Sequence, residues 1–318
     1  MRIYFLILAF PAVGLLLSQS SLKSPNFESS NGEHALQFSD SGHIPQTVSD
    51  DTPPLVSHQF TFTEGPAVDK LGNIFFTDQP NDRIWEYDTS GHLHLFLQGC
   101  GRSNGMYFDL KGNLLTCADA HNQIWSISPE KQSRVLLDNF HGGIFNGPND
   151  LWVNPHGGGI YFTDPYYKRD YWTLPHTHIP REQVYYWNCK SKNPVVVDRN
   201  LNKPNGIIGT PDGKLLYVAD IGAGKTYRYR IDPGGTLSHK QLFVSQGSDG
   251  MTIDNQGNIY LTGNGVTIYN KEGELIQHID IIEPWTANVC IGGKDNQTLF
   301  ITASKSIYTL HLKVRGVQ

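Results

Sequence analysis

Six positions recur along this chain at the head of a repeated segment: Glu64, Asn104, Asn149, Asn205, Asp249 and Ala287, spaced by 40, 45, 56, 44 and 38 residues. Five of the six offer side-chain oxygen. Glu64 and Asp249 are carboxylates and Asn149 and Asn205 add amide oxygens, an all-oxygen set of net charge −2 with no His or Cys among the anchors. Hard divalent cations prefer such donors, and calcium tolerates mixed carboxylate and amide shells completed by water. The set therefore points to Ca2+, with Mg2+, Mn2+ or Zn2+ as further candidates for so permissive a shell. A single Asn or Asp before Gly is also an ordinary turn former. Glu64 is not, and the shared register of the others argues for convergence on one site. A cation with an open position polarises a carbonyl. Asp249, able to touch both cation and water, is the candidate base or nucleophile, while the longer Glu64 suits a purely structural ligand.

The elements that must position these residues are strands. The segments EGPAVDKLGNIFFTD, NGMYFDLKGNLLTCAD, NDLWVNPHGGGIYFTD, NGIIGTPDGKLLYVAD, DGMTIDNQGNIYLTG and ANVCIGGKDNQTLFITA each read as strand, Gly- or Asn-containing turn, strand. Further strand-like runs follow, such as RIWEYD, QIWSIS, QVYYWN and TYRYRID, giving about four strands per unit. Units of about 40 residues with four antiparallel strands predict an all-β fold, a six-bladed β-propeller. The last unit lacks its outer strand, so residues 55–62 are expected to complete it and close the ring. In such a ring the first strand of each blade lines the central channel, and polar residues at its start converge. Ala287 breaks the pattern and would leave one side of the ring open to water or substrate.

The second strand of each blade returns to the anchor face. Its terminal acids, Asp78, Asp119, Asp164 and Asp220, are read as loop anchors bonded to backbone N–H groups rather than as ligands. The third unit is the longest, and its excess, PYYKRDYWTLPHTHIPREQ after Asp164, should overhang the same face with Tyr166, Tyr167, Trp172, His176 and His178. Tyr166, nearest the strand end, is the first candidate for a substrate contact. Asn104, Asn149, Arg102 and His141 are the others.

The segments TEGP at Glu64, GPNDL at Asn149, KPNGI at Asn205, SDGM at Asp249 and the late IGGKD resemble, as an ordered set, the gluconolactonase and senescence-marker-protein-30 family of calcium-dependent six-bladed propeller hydrolases. The resemblance spans about residues 60–312. It implies metal ligation by Glu64, Asn205 and Asp249, with Asn149 as a further ligand or substrate contact. It also implies hydrolysis of a small-molecule lactone, sugar-derived or similar, to its hydroxy acid. An organophosphate-type hydrolase on the same site and a non-catalytic, calcium-stabilised binding propeller are the competing readings.

The net charge of −5 and the scattered Lys and Arg offer no basic stripe, which argues against a nucleic-acid partner. Residues 1–20 place Arg2 before an apolar run from Ile3 to Leu17 and then small polar residues, the layout of a signal peptide, so export is expected, with membrane attachment only if the segment stays uncleaved. Residues 21–54, rich in Ser, Pro, Asn, Asp and Gly, read as a flexible leader, and 55–318 as the propeller. Cys100, Cys117, Cys189 and Cys290 show no metal-binding spacing. A Cys100–Cys117 bridge and four buried thiols are both compatible with the sequence.

Overall fold

The computed structural model describes residues 52–172 and 179–317. The signal and leader expected before residue 52, and His176 and His178, lie outside the described residues. Six antiparallel sheets of four strands follow one another around a ring. Their inner strands are Thr63–Val68, Ser103–Phe108, Leu151–Val153, Pro204–Gly209, Met251–Ile253 and Thr286–Gly292. In five blades the strand order follows the chain. In the sixth, Leu55–Ser57 supplies the outer strand against Ser306–His311, with Leu55 opposite Tyr308 and Ser57 opposite Ile307. The ring is closed as the sequence predicts, which covers the edge of Ser306–His311 in blade six.

Bulky residues, many of them from the first two strands of each blade, fill the space between blades. Trp152, Tyr161, Tyr217 and Met251 belong to one such core, and Phe60, Phe76, Phe300 and Ile307 to the one that joins the last blade to the first. Burial of aliphatic and aromatic side chains of this size is the main force holding the blades together. The four cysteines are free thiols, three buried and Cys189 exposed, so Cys100 and Cys117 form no bridge.

The start of each inner strand is irregular in a repeated way. Pairing with the second strand shifts register between Glu64 and Ala67, Ser103 and Met106, Pro204 and Ile207, and Thr286 and Asn288. In blades three and five the ladder starts only at Leu151 and Met251, two residues past the anchor. A bulge of this kind re-aims a side chain that would otherwise lie against a neighbouring blade. Threonines of the second strands hold the bulges in place. Thr163 Oγ1 donates to the carbonyl of Asn205 at 2.8 Å, and Thr262 Oγ1 donates to that of Ala287 at 2.8 Å. Each bond ties one blade to the anchor backbone of the next.

Candidate active site

The bulges bring the sequence-predicted anchors Glu64, Asn104, Asn149, Asn205 and Asp249 to one end of the channel. Glu64, Asn104, Asn149 and Asn205 are buried, while Asp249 is half-buried. The oxygens Asn104 Oδ1 and Asn205 Oδ1 are buried without a hydrogen-bond partner. Asn205 is held by its nitrogen, which donates to Asp249 Oδ1 at 2.7 Å and to the Tyr167 hydroxyl at 3.0 Å. Its oxygen is thereby left free. Asp249 Oδ2 accepts from Trp285 Nε1 at 2.6 Å. Glu64 Oε2 accepts from its neighbour Gly65 N–H and from Asn288 Nδ2, the latter at 3.2 Å.

Burial and mutual repulsion hold these carboxyls toward the neutral form. Glu64 lies well above the usual carboxylate range, first because of desolvation and then because Asp249 and Asp150 are close. Asp249 is pushed up to about 6 by desolvation, against the opposing bonds from Trp285 and Asn205. Orphaned amide oxygens next to crowded, desolvated carboxyls are the environment a hard cation relieves, since it satisfies the first and neutralises the second. Among the described residues no cluster of three or more His, Cys, Asp or Glu is arranged to hold a metal. The fit to calcium therefore depends on the amide oxygens, with Glu64, Asn149, Asn205 and Asp249 as the residues that would hold it.

Two residues of this end were not among the sequence candidates. The position after the anchor is Gly in four blades, but Asp150 in blade three and Asn288 in blade six. These blades face each other across the ring, and the two side chains meet in the channel. Asp150, pushed up to about 8 by burial, takes opposing hydrogen bonds from the Leu151 backbone and the Asn288 side chain. The glycines make the room. A Cβ on Gly105 would lie 2.3 Å from Asp150 Oδ1, and one on Gly250 would lie 1.9 Å from Asn288 Cγ. The broken glycine pattern was the sequence signal. The side of the ring expected to be open at Ala287 is instead occupied by hydrogen-bond donors, with Asn288 on Glu64 and Trp285 on Asp249.

Three of the four strand-end acids are loop anchors as expected. Asp78 Oδ1 accepts from the backbone of Thr61 and Phe62, Asp164 from Asn146 and Gly147, and Asp220 from Asn202 and Ala223. Asp119 departs from the pattern. The backbone N–H of Arg102 goes to Asp82 Oδ1 at 2.6 Å instead. Asp119 is thus free to hold the blade-three insertion, accepting from Arg169 Nε at 3.1 Å and from the Tyr171 hydroxyl, while its carbonyl accepts from Trp172 Nε1 at 2.7 Å.

Within the insertion Tyr167, not Tyr166, reaches an anchor. Tyr166 turns its ring toward Trp172, 6.0 Å between centroids, and its backbone N–H bonds Glu182. Arg102 stacks over Tyr171, 4.3 Å from the ring centroid, on the anchor face. His141 is not brought to the site. It is exposed, its ring lies edge-on to Phe140, and its backbone N–H bonds Asn193, between the two outer strands of blade three. A cavity of about 640 Å3 opens at the other end of the channel among Val68, Phe75, Tyr107, Phe108 and Trp152. It is apolar and does not include the anchors. On the anchor side, a cleft of about 360 Å3 runs beside Trp285, Gly247 and Thr262.

Similarity to known proteins follows the same boundaries. Residues 62–305 match the family described as the SMP-30/Gluconolactonase/LRE-like region. A gluconolactonase from Zymomonas mobilis is 28% identical over 295 residues, 82% of each chain. The lactonase drp35 of Staphylococcus haemolyticus is 30% identical over 260 residues, 74% of each chain. The solved structure of a gluconolactonase from Xanthomonas campestris superposes with a TM-score of 0.77 at 24% identity, covering 84% of this chain and 91% of that one, which speaks for the fold. With its six blades closed by the N-terminal strand and its polar anchors at the blade starts, this chain belongs to the SMP-30/gluconolactonase/LRE-like family.

Proposed function

We propose that this protein is a calcium-dependent lactonase, hydrolysing a sugar-derived or similar lactone to its hydroxy acid, and that it is exported. The observation that carries the metal reading is the orphaned amide oxygen Asn205 Oδ1, whose own nitrogen is bonded to Asp249, at a site where Asp249 and Glu64 crowd each other. Gluconolactonase and lactonase relatives support the substrate class. The apolar run at residues 3–17 supports export.

A bound calcium ion would supply Lewis-acid polarisation of the lactone carbonyl. Glu64, buried and bonded by Gly65 and Asn288, is placed to hold charge and not to meet substrate. Asp249, half-buried and fixed on both oxygens, is placed to take a proton from the attacking water. The Tyr167 hydroxyl accepts from Asn205 Nδ2, so its own proton remains available to a substrate oxygen. In the reaction a water oxygen bonds the carbonyl carbon, the ring ester C–O bond breaks, and the proton held by Asp249 passes to the released alkoxide.

A panel of aldonolactones, aliphatic lactones and phosphotriesters, followed by proton release with and without chelator and calcium add-back, tests the reading. Chelator-sensitive lactone turnover is the expected result. Asp249→Asn should stay folded and lose about 10²- to 10⁴-fold in kcat, the range for a lost general base. Phosphotriester turnover alone would assign the site to the other hydrolase class. No turnover of any panel member would leave a binding propeller.

A further inference from the structure

The register that aligns the anchors also aligns the residues two positions before them: Phe62, Arg102, Gly147, Lys203, Gly247 and Trp285. These form the rim above the anchors, and its chemistry is uneven. Arg102 in blade two and Lys203 in blade four flank blade three, while Trp285 stands across the ring on Asp249. Both cations sit in the left-handed region, Arg102 at φ 49° and Lys203 at φ 73°. Glycine adopts that conformation without the cost, about 1 kcal/mol, that a longer side chain meets there. At both positions this chain nevertheless carries a long cation.

The insertion adds a third cation between them. Gly147, at φ 146°, leaves room for Trp172, whose ring a Cβ there would meet at 3.0 Å, and so lets the insertion fold inward. Arg169 and Lys203 then both lie on the Tyr167 ring, 5.7 and 4.7 Å from its centroid. The hydroxyl of that ring is bonded to Asn205. The charges do not cancel. Asp119 pairs with Arg169 and is also felt by Arg102, and Glu182 is felt by Tyr167, which sets two acids against three cations. The Lys203 ammonium makes no hydrogen bond or ion pair with a described residue. Residues 173–178 add no acid. Once a divalent cation balances Glu64 and Asp249, this side of the mouth carries excess positive charge under low-dielectric walls, which concentrates anions.

We propose that the lactone taken by this site carries a fixed oxyanion, a carboxylate, sulfonate or phosphate, on the arm remote from the ester, and that Lys203, Arg102 and Arg169 receive it. The inference rests on the lactonase reading and adds the charge of the substrate to it.

The test compares glucono-1,5-lactone with counterparts carrying a carboxylate, sulfonate or phosphate at C6, using the full-chain, calcium-loaded protein. At least one anionic lactone should have a kcat/KM about tenfold or more above the neutral one, with the gap closing as salt is added. Which of the three shows the largest gap identifies the oxyanion. Lys203→Gln should shrink the ratio through KM, and Lys203→Glu should invert it. Arg169→Gln should also shrink it, with a thermal melt to show that the insertion and fold persist. Equal or better turnover of the neutral lactone overturns this inference and leaves the lactonase reading standing. Variants that lower both substrates in proportion give these cations a structural role and overturn it too. Turnover of no lactone removes both readings.

Discussion

At the residue scale the site turns on carboxyls kept from ionising freely. Asp150 is the plainest case, because its carboxyl sits in the channel on Asn288 with no cation in contact and is pushed up to about 8. The folded protein thus holds a proton that the unfolded chain releases near pH 4. Between those two values the native state binds more protons, so this group's contribution to stability is fully present below about pH 4 and is lost as pH rises to about 8. Asp150→Asn keeps the shape and removes that dependence. Its thermal melts, taken with chelator from pH 4 to 9, should match wild type at the acid end and rise increasingly above it up to about pH 8. An unchanged difference across the range would mean that Asp150 ionises in the fold at its ordinary value. The anchors of blades one to five could be read from the sequence because the repeat sets their register. Asp150 and Asn288 were harder to see, since a buried polar residue in place of a glycine acquires meaning only when the opposite blade is known.

At the scale of elements, the blade-three insertion is held by an acid that departs from its own repeat. Asp78, Asp164 and Asp220 serve the backbone of the loop leading into the first strand of their own blade, whereas Asp82 takes that duty in blade two and releases Asp119 to Arg169 and Tyr171. Asp119→Ala should therefore loosen the insertion and spare the propeller. The expected outcome is faster proteolytic cleavage within residues 165–182, a KM raised about tenfold and a melting temperature close to wild type. A large fall in melting temperature would instead make Asp119 a core residue of blade two. Sequence spacing placed the insertion over the anchor face correctly. It favoured Tyr166 by nearness to the strand end, yet Tyr166 packs on Trp172 and the anchor contact falls to Tyr167. His141 was favoured by nearness to Asn149 in the chain, but the intervening loop carries it to the outer strands.

At the scale of the whole molecule, closure of the ring by Leu55–Ser57 protects the edge that Ser306–His311 would otherwise expose. Removing residues 1–57 should lower the melting temperature and drive association through that edge, measured by melts and size-exclusion chromatography. A monomer as stable as wild type would show that the first strand is dispensable. The sequence by itself determined the six-unit repeat, the strand and turn pattern, the closing strand and the anchors of five blades. Each of these is local or periodic, set by side-chain alternation, turn residues and a fixed spacing. Only the tertiary structure decided which side chains meet across the channel, which acid is left free to grip the insertion, and which cations share the face of Tyr167. Those contacts join residues from different blades, and they depend on bulge geometry and ring closure, neither of which is set by the residues of any one blade.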